Sequence, residues 1–342
     1  MTHPLAERLL AGDRRALARL LSWVENEHDD VDAALRAIFP HTGRAHIIGI
    51  TGAPGAGKST LAAALAKALR AAGRTIAILA VDPTSPFTGG AILGDRIRMI
   101  DLTNDPGIFI RSMATRGSLG GLSRASRDAV RLFDAAGYEI VILETVGAGQ
   151  SEVEIARIAQ TVLVVEAPGM GDDIQAIKAG ILEIADVLVV NKADRPGVET
   201  TVRALRLMLE LGHPALRPQM DSHHGRLLAL TPQPEAPISS AFWLPPIIQT
   251  TALTSSGIDS LITAIDQHRA YLAESGTLRA LESRQIRTEL HERLREALLY
   301  RLLAALPTDA LDEAVRSIQE RALTPHQAVE ALVDAQVGAV RG

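Results

Sequence analysis

A glycine-rich segment, GAPGAGKST at residues 52–60, contains the residue types that bind a phosphate chain. It fits the pattern G-x-x-x-x-G-K-[ST], with a β-rich run before it and a helical pattern after it. Its glycines allow backbone N–H groups to wrap a β-phosphate, and the N-terminal end of the helix adds positive potential. Lys58 would neutralise the β- and γ-oxygens, and the Ser59 hydroxyl would coordinate Mg²⁺. A strand–helix turn without a ligand is the alternative, which the complete match in this context disfavours. The loop residues are Gly52, Ala53, Pro54, Gly55, Ala56, Gly57, Lys58, Ser59 and Thr60.

A second polar segment, VVNKAD at residues 189–194, follows a predicted buried strand and matches the N-K-x-D pattern. Asp194 would accept hydrogen bonds from guanine N1–H and from the exocyclic amine, neither of which adenine offers. Asn191 would approach the O6/N7 edge, and the Lys192 stem would cover the ring. By itself the pattern also occurs in surface turns, but together with the phosphate loop it indicates a guanine nucleotide.

The segment TTAL follows the last predicted strand and is a weaker signal. Thr251, Ala252 and Leu253 could supply a backbone N–H to guanine O6.

Carboxylates at two strand ends are candidates for the metal. Glu144 ends a buried strand in VILETVGAGQSE, where Gly147 could direct its N–H at a γ-phosphate. Since Glu144 is one methylene longer than the aspartate common in GTPases, its contact with Mg²⁺ is expected to pass through water. Asp82 ends another strand, in a loop at residues 80–99 that also contains Asp95 and Arg98. Turn capping remains an equal alternative for Asp82 when it is considered alone.

The elements that must position these residues alternate between apolar β-rich runs and helical patterns. Continuously apolar strands are typical of a parallel sheet that is covered on both faces. The pattern predicts an α/β, doubly wound, mostly parallel P-loop NTPase domain over residues 44–273. The predicted strands are 46–50, 75–81, 107–110, 138–143, 161–167, 186–190 and 246–250.

Helical extensions are predicted on both sides of this domain, at residues 1–43 and 274–342. Their apolar stripes fit either packing on the α/β core or, for the C-terminal arm, a dimer contact. Thr324, Pro325 and Gln327 form a helix-start signature within that arm. Residues 213–245 are proline-rich and aperiodic, and are interpreted as a long loop.

Composition excludes several classes of protein. The net charge is −5 without a long basic block, which disfavours a nucleic-acid surface. The absence of cysteine excludes disulfides and thiolate metal sites. No apolar run approaches the roughly 18 residues that span a bilayer. Glu7 and Asp13 are atypical of an organelle-targeting peptide, so a cytoplasmic protein is expected.

Taken together, these motifs are similar to those of the MeaB/ArgK/MMAA-type GTPases. The similarity runs from the N-terminal helices to about residue 200, resumes at Thr250 and is looser in the C-terminal helices. The motifs that carry it are GAPGAGKST, DPTSPFTGGAILGDRIRM, FIRSMATRGSLGGLS, ETVGAGQSE, PGMGDDIQAIKAGI and NKAD.

The resemblance implies a GTPase that acts as a chaperone for an adenosylcobalamin-dependent acyl-CoA mutase. It implies a homodimer with C-terminal helices in the contact, and adenosylcobalamin held by the partner enzyme rather than by this chain. By motif match, Arg98 would belong to the active-site loop, and Lys178, within residues 168–178, would report the nucleotide state to the partner. The residues placed around phosphate and Mg²⁺ are Lys58, Ser59, Asp82, Asp95 and Glu144.

Two departures from the family pattern leave the partner open. The stretch between Asp194 and Thr251 is longer than expected for methylmalonyl-CoA mutase chaperones, and threonine stands where serine is usual at position 251. A mutase acting on isobutyryl- or 2-hydroxyisobutyryl-CoA therefore remains possible as the partner. No glutamine stands out as a water-positioning residue, although Gln150 lies near the right loop, so slow intrinsic hydrolysis is expected.

Three other functions remain as alternatives. A GTP-dependent metallochaperone usually carries Cys or His clusters, whereas here only His223 and His224 are adjacent. A small-molecule or protein kinase would also use the phosphate loop. A binding module without catalysis is disfavoured by Lys58, Ser59 and the candidate Mg²⁺ acids.

Overall fold

The computed structural model describes residues 3–82, 100–114, 121–145, 151–169, 184–212 and 242–340. The chain divides into two compact units, Met1–Leu281 and Glu282–Gly342, and each is considered by itself. The predicted domain boundaries at 43/44 and 273/274 remain predictions.

The first unit is built on a seven-stranded sheet whose pairings are all parallel in the described part of the chain. The strand order is β3-β2-β4-β1-β5-β6-β7, so β1 lies at the centre between β4 and β5. This confirms the predicted doubly wound α/β fold. The strands are β1 (His46–Gly52), β2 (Ile76–Asp82), β3 (Ile108–Ala114), β4 (Ile140–Thr145), β5 (Thr161–Glu166), β6 (Val187–Asn191) and β7 (Ile247–Thr250).

Helices cover both faces of the sheet, which explains why its strands are continuously apolar. All residues of β4, β5 and β6 are buried. Successive residues of one strand serve opposite faces: Ile142 belongs to one apolar cluster, and Val141 and Leu143 belong to the other. The helices that the structure describes in the first unit are α1 (Pro4–Leu10), α2 (Arg14–Glu25), α3 (Val31–Ile38), α4 (Lys58–Ala71), α5 (Gly121–Ala135), α6 (Ser151–Ala156), α7 (Val198–Gly212) and α8 (Ile258–Glu274).

The N-terminal helices α1–α3 pack on the α/β core. Leu17, Leu20 and Leu21 of α2 lie in the same buried cluster as Phe133 of α5. This packing is one of the two arrangements that the sequence left open for the flanks.

Polar contacts of α2 reach β3, the edge strand of the sheet. Arg14 donates to the carbonyl oxygen of Ile108 at 2.7 Å, and Arg111 pairs with Glu25 at 2.5 Å. The N-terminal extension is therefore fastened to the sheet by both apolar and ionic contacts.

Three further helices complete the chain: α9 (Thr277–Ala305), most of which lies in the second unit, α10 (Ala310–Gln319) and α11 (Pro325–Val340). The predicted start of α11 is confirmed, because the Thr324 N–H donates to Gln327 Oε1 at 3.0 Å and the Gln327 N–H donates to Thr324 Oγ1 at 3.3 Å. Leu290, Leu294 and Leu298 of α9 are exposed. Among the helices that the structure describes, none combines the length and hydropathy needed to cross a bilayer.

Candidate nucleotide-binding site

The phosphate-loop residues connect the central strand β1 to the N-terminus of α4. Gly52 has φ +132°, and a Cβ there would lie 2.7 Å from the Val165 nitrogen of β5. Gly57 has φ +92°, and a Cβ there would lie 2.5 Å from Asn191 Nδ2. Both positions therefore require glycine, because backbone conformation and close neighbours exclude a side chain. The loop leads directly into the N-terminal end of α4, whose positive potential favours an anion.

Lys58, the first residue of α4, turns its ammonium group into this loop. Its Nζ donates to the carbonyl oxygens of Gly52 at 2.8 Å and Ala53 at 3.2 Å, and the residue is buried. A positive charge is thereby held inside the loop that is predicted to enclose phosphate.

Ser59 and Glu144 form the candidate metal position. The Ser59 hydroxyl donates to Glu144 Oε1, and both residues are buried. Glu144 pairs with Ile50 of β1 in the parallel register, which brings the carboxylate to the edge of the sheet where the loop begins. A hydroxyl and a carboxylate are oxygen donors of the kind that Mg²⁺ prefers, so the donor set fits this ion.

The base motif is fastened directly to the phosphate loop by the buried side chain of Asn191. Its Nδ2 donates to the Ala56 carbonyl at 2.9 Å. Its Oδ1 accepts from the Thr250 hydroxyl and from the Ala252 N–H, both at 3.2 Å. One amide therefore joins three segments that are distant in the sequence, while the predicted approach of Asn191 to the purine edge stays a prediction.

The two charged residues of the base motif adopt different positions. Lys192 has φ +57°, and its Nζ donates to the Gly55 carbonyl at 2.6 Å, so its stem lies across the loop entrance. Asp194 is exposed at the same carboxyl edge of the sheet. The arrangement brings the base motif and the phosphate loop together, as the sequence predicts.

The segment after β7 contributes its backbone. The Thr251 N–H donates to the carbonyl oxygen of Ser256 at 3.0 Å, and the Ala252 N–H donates to Asn191 Oδ1 at 3.2 Å. Among the three N–H groups considered for guanine O6, that of Leu253 is thus the remaining candidate, and this residue is 87% exposed.

Two contacts were not predicted from the sequence, namely those of the Thr250 hydroxyl and of the Ala56 carbonyl with Asn191, although Ala56 itself was predicted as a residue of the phosphate loop. Both act through Asn191, and only the position of Thr250 at the end of a predicted strand offered a signal.

Several predicted residues lie outside the described residues: Asp95, Arg98, Gly147, Gln150, Lys178, His223 and His224. For Asp82 only the backbone is described, at the end of β2. Within the described part of the chain, no group of three His, Asp or Glu residues could hold a metal ion by itself.

Comparison with known proteins identifies relatives over nearly the whole chain. The family model described as "Methylmalonyl Co-A mutase-associated GTPase MeaB" matches residues 17–306. A Pyrococcus abyssi protein named as a GTPase is 42% identical over 338 residues, which cover 99% of this chain and 98% of that protein. GTPase ArgK of Escherichia coli is 38% identical over 301 residues, covering 87% of this chain and 85% of ArgK.

Two further similarities come from a mitochondrial protein and a solved structure. The methylmalonic aciduria type A homolog of Caenorhabditis briggsae is 30% identical over 310 residues, covering 86% of this chain and 70% of that protein. The crystal structure of an LAO/AO transport system kinase superposes with a TM-score of 0.67 at 29% identity, covering 98% of both chains. The joined phosphate and base motifs, the parallel sheet and these relatives agree: the chain is a GTPase that belongs to the MeaB family.

Proposed function

We propose that this GTPase is a chaperone that couples GTP hydrolysis to loading and protection of adenosylcobalamin on a partner acyl-CoA mutase. The observation that carries the proposal is the match to the mutase-associated family model from residue 17 to residue 306, which includes most of α2, α3 and the whole of α9 as well as the GTPase core. Methylmalonyl-CoA mutase is the first candidate partner, and a related acyl-CoA mutase is the second. In this proposal adenosylcobalamin is bound by the partner rather than by this chain.

Recognition of GTP divides between two joined parts of the site. Asp194 would select guanine, and Lys58 would neutralise the β- and γ-phosphates. The contacts of Asn191 support this division, because its amide belongs to the base motif and is hydrogen-bonded both to the phosphate loop and to Ala252. GTP or GDP would then be held by both parts at once.

Ser59 and Glu144 would hold Mg²⁺, with Asp82 and Asp95 as further candidates from the family resemblance. When bound, Mg²⁺ neutralises charge on the phosphate oxygens during transfer to water. The buried carboxylate of Glu144 would orient the Ser59 hydroxyl toward the ion or one of its waters.

A switch role is assigned to three segments that follow strands at the carboxyl edge of the sheet. Residues 82–98 follow β2, residues 147–152 follow β4, and residues 168–178 follow β5. Contacts with the γ-phosphate would order the first two, and hydrolysis would release them. Lys178 in the third segment would transmit the change to the mutase.

The proposal includes a cytoplasmic homodimer. Support comes from exposed apolar residues of α9, where Leu290, Leu294 and Leu298 leave 53–65% of their surface uncovered. A contiguous apolar surface of this kind is typical of an interaction site.

The proposal predicts that hydrolysis is slow for the isolated protein and rises when the cognate mutase is added. The measurement is phosphate release from GTP with and without purified mutase, with the Lys58→Ala variant as the inactive control. Co-purification with the mutase is the second readout. If phosphate release stays unchanged and no complex forms with any adenosylcobalamin-dependent acyl-CoA mutase, the chaperone assignment is wrong.

A further inference from the structure

A buried polar chain lies at the amino edge of the sheet, opposite the nucleotide site. His46 begins β1, Thr161 begins β5, Asp186 precedes β6, and His268 lies in α8. Thr161 Oγ1 is 2.9 Å from His46 Nε2 and 2.9 Å from His268 Nδ1. His268 Nε2 is in turn 3.3 Å from Asp186 Oδ1, within ion-pairing distance. Four side chains from distant segments thus form one continuous series.

The surroundings of this chain are largely apolar. His46, Thr161 and His268 are buried, while the side chain of Asp186 is 29% exposed. The second carboxyl oxygen of Asp186 accepts from the Val162 N–H at 2.8 Å. The Trp243 ring lies 4.9 Å from that of His268, centroid to centroid. Solvent therefore reaches the chain most readily at its Asp186 end.

Charged groups near the chain are few among the described residues. Arg74 and Arg269 act electrostatically on His46, and the Tyr271 ring stacks 6.3 Å from that of His268. Burial, with a smaller contribution from these arginines, lowers the pKa of His46 to about 3, and burial lowers the pKa of His268 to about 4. Burial raises the pKa of Asp186 to about 7, opposed only by the Val162 hydrogen bond. Both rings are thus neutral near pH 7, where the carboxyl group titrates.

A neutral imidazole carries one ring hydrogen, and a hydroxyl carries one hydrogen that it can donate once. Thr161 can donate to only one of its two ring partners and must accept from the other if both contacts are hydrogen bonds. Two arrangements satisfy the whole series when His268 Nε2 and Asp186 Oδ1 share a hydrogen and the acidic hydrogen of Asp186 lies on Oδ1, because Oδ2 accepts from the Val162 N–H. With Asp186 ionised, donation runs from His46 through Thr161 and His268 to the carboxylate; with Asp186 protonated, it runs the opposite way.

We propose that His46, Thr161, His268 and Asp186 form a proton-linked switch, in which one proton on Asp186 reverses the direction of every contact in the chain. The reversal moves no heavy atom and needs one net proton. Between the two states the chain gains one hydrogen, on Asp186 Oδ1, while the ring hydrogens of His46 and His268 lie on Nδ1 instead of Nε2 and Thr161 keeps one hydroxyl hydrogen.

The switch lies at the ends of β1, β6 and α8 that are remote from the nucleotide site, namely the amino ends of the two strands and the carboxyl-terminal half of the helix. β1 leads to the phosphate loop, β6 leads to Asn191, and α8 follows the segment that contacts Asn191. This inference goes beyond the proposed chaperone function and does not depend on the identity of the partner.

The test is imidazole ¹⁵N NMR on the full-length, histidine-labelled protein, with the two signals assigned from His46→Gln and His268→Gln variants. At about pH 8.5 both rings should carry hydrogen on Nε2, and at about pH 5.5 both should carry it on Nδ1. The two tautomer changes should share a midpoint near the pKa of Asp186, about 7. Fixed tautomers across this range would overturn the proposal.

Two variants separate the switch from a merely structural cluster. Asp186→Asn replaces the protonated carboxyl by an amide that can donate to His268, so both rings should carry hydrogen on Nδ1 at every pH tested. Thr161→Val should leave the tautomer change of His268 and abolish that of His46, whereas Thr161→Ser should keep both. Should Thr161→Val fail to fold, Asp186→Asn decides alone: tautomers that still change with pH in it would contradict the assignment.

Discussion

In the proposed site, Lys58 is the residue on which phosphate binding should depend most directly. Its ammonium already lies inside the loop, against the carbonyl oxygens of Gly52 and Ala53. A cation held in this position needs little rearrangement to meet a phosphate oxygen. Removing the ammonium group of Lys58 would keep the backbone of the loop but take away the positive charge that the loop encloses.

The Lys58→Ala variant should lose GTP hydrolysis and bind GTP more weakly by roughly ten- to a hundredfold, because hydrogen bonds to charged groups contribute about 1.5–3 kcal/mol. Phosphate release and titration with a fluorescent GDP analogue measure the two effects. Lys67→Ala is the matched control, since Lys67 lies on the same helix and is exposed. Normal hydrolysis by Lys58→Ala would refute the assignment of the phosphate loop.

Asp194 determines the choice of base in our interpretation. In Asp194→Asn the amide should accept less from guanine and pair instead with the second carbonyl of xanthine. We expect GTP affinity to fall by roughly ten- to a hundredfold while affinity for xanthosine triphosphate rises. Competition binding with both nucleotides measures the exchange, with the exposed Asp266 changed to Asn as control. An unchanged preference for GTP would show that base recognition lies elsewhere.

At the scale of elements, Asn191 is the connection between β6, β7 and the phosphate loop. Asn191→Ala leaves the Ala56 carbonyl and the Ala252 N–H without this partner in a buried place, at a cost of about 1–3 kcal/mol. Both GTP and GDP should bind about tenfold more weakly, because the base motif and the phosphate loop lose their fixed spacing. Calorimetry of GDP binding is the measurement, and the exposed Asn104→Ala provides the control. Wild-type affinity in Asn191→Ala would mean that this spacing is set by other contacts.

A second element-scale connection fastens the N-terminal helices to the GTPase core. The buried carboxylate of Asp134 in α5 accepts hydrogen bonds from the backbone N–H groups of Gly43, Arg44 and Ala45, which link those helices to β1. A carboxylate that satisfies successive N–H groups stabilises such a linker strongly.

Asp134→Ala should lower the free energy of unfolding by about 3 kcal/mol, while GTP affinity at 25 °C stays close to wild type. Thermal unfolding followed by circular dichroism measures the loss. Asp134→Asn should lose less, since one acceptor oxygen remains, and the exposed Asp101→Ala should lose little. Equal stability of Asp134→Ala and the wild type would show that the linker is held by apolar packing instead.

At the scale of the whole molecule, the amino-edge chain makes stability depend on pH. His46 and His268 have folded-state pKa values near 3 and 4, so below about pH 6.5 the unfolded state binds their protons first and stability falls on acidification. Asp186 acts in the opposite sense. Its folded-state pKa of about 7 exceeds the unfolded value of 3.8, so its contribution grows as pH falls through this interval.

Between about pH 4.5 and 6 these groups sum to roughly one net proton taken up on unfolding, or about 1.4 kcal/mol per pH unit. In Asp186→Asn the opposing contribution of the carboxyl group disappears. The slope of the unfolding free energy against pH should then rise to the value that corresponds to an uptake of roughly two protons on unfolding. Urea unfolding at a series of pH values measures both slopes. An equal slope in the two proteins would indicate that Asp186 is ionised in the folded state throughout this range.

The sequence by itself determined the elements and the place of the phosphate loop between the first strand and the helix that follows it. All seven predicted strands are present, since strands buried on both faces must be apolar and this pattern is local. The predicted and observed bounds differ only at the ends of strands. For example, β4 extends to Thr145 rather than ending at residue 143, so Glu144 lies within the strand. The phosphate loop could also be predicted from the sequence, because a glycine-rich turn before a helix requires particular residues at fixed spacing.

Only the tertiary structure decided which distant residues act together. Asn191 and Ala56 are 135 positions apart, His46 and Thr161 are 115 apart, and Asp134 lies 91 positions from Gly43. Each polar group could have faced solvent on sequence evidence alone. The parallel sheet brings Asn191 and Ala56 together at its carboxyl edge and the other two pairs together at its amino edge. Burial then removes water and requires each polar group to find a hydrogen-bond partner.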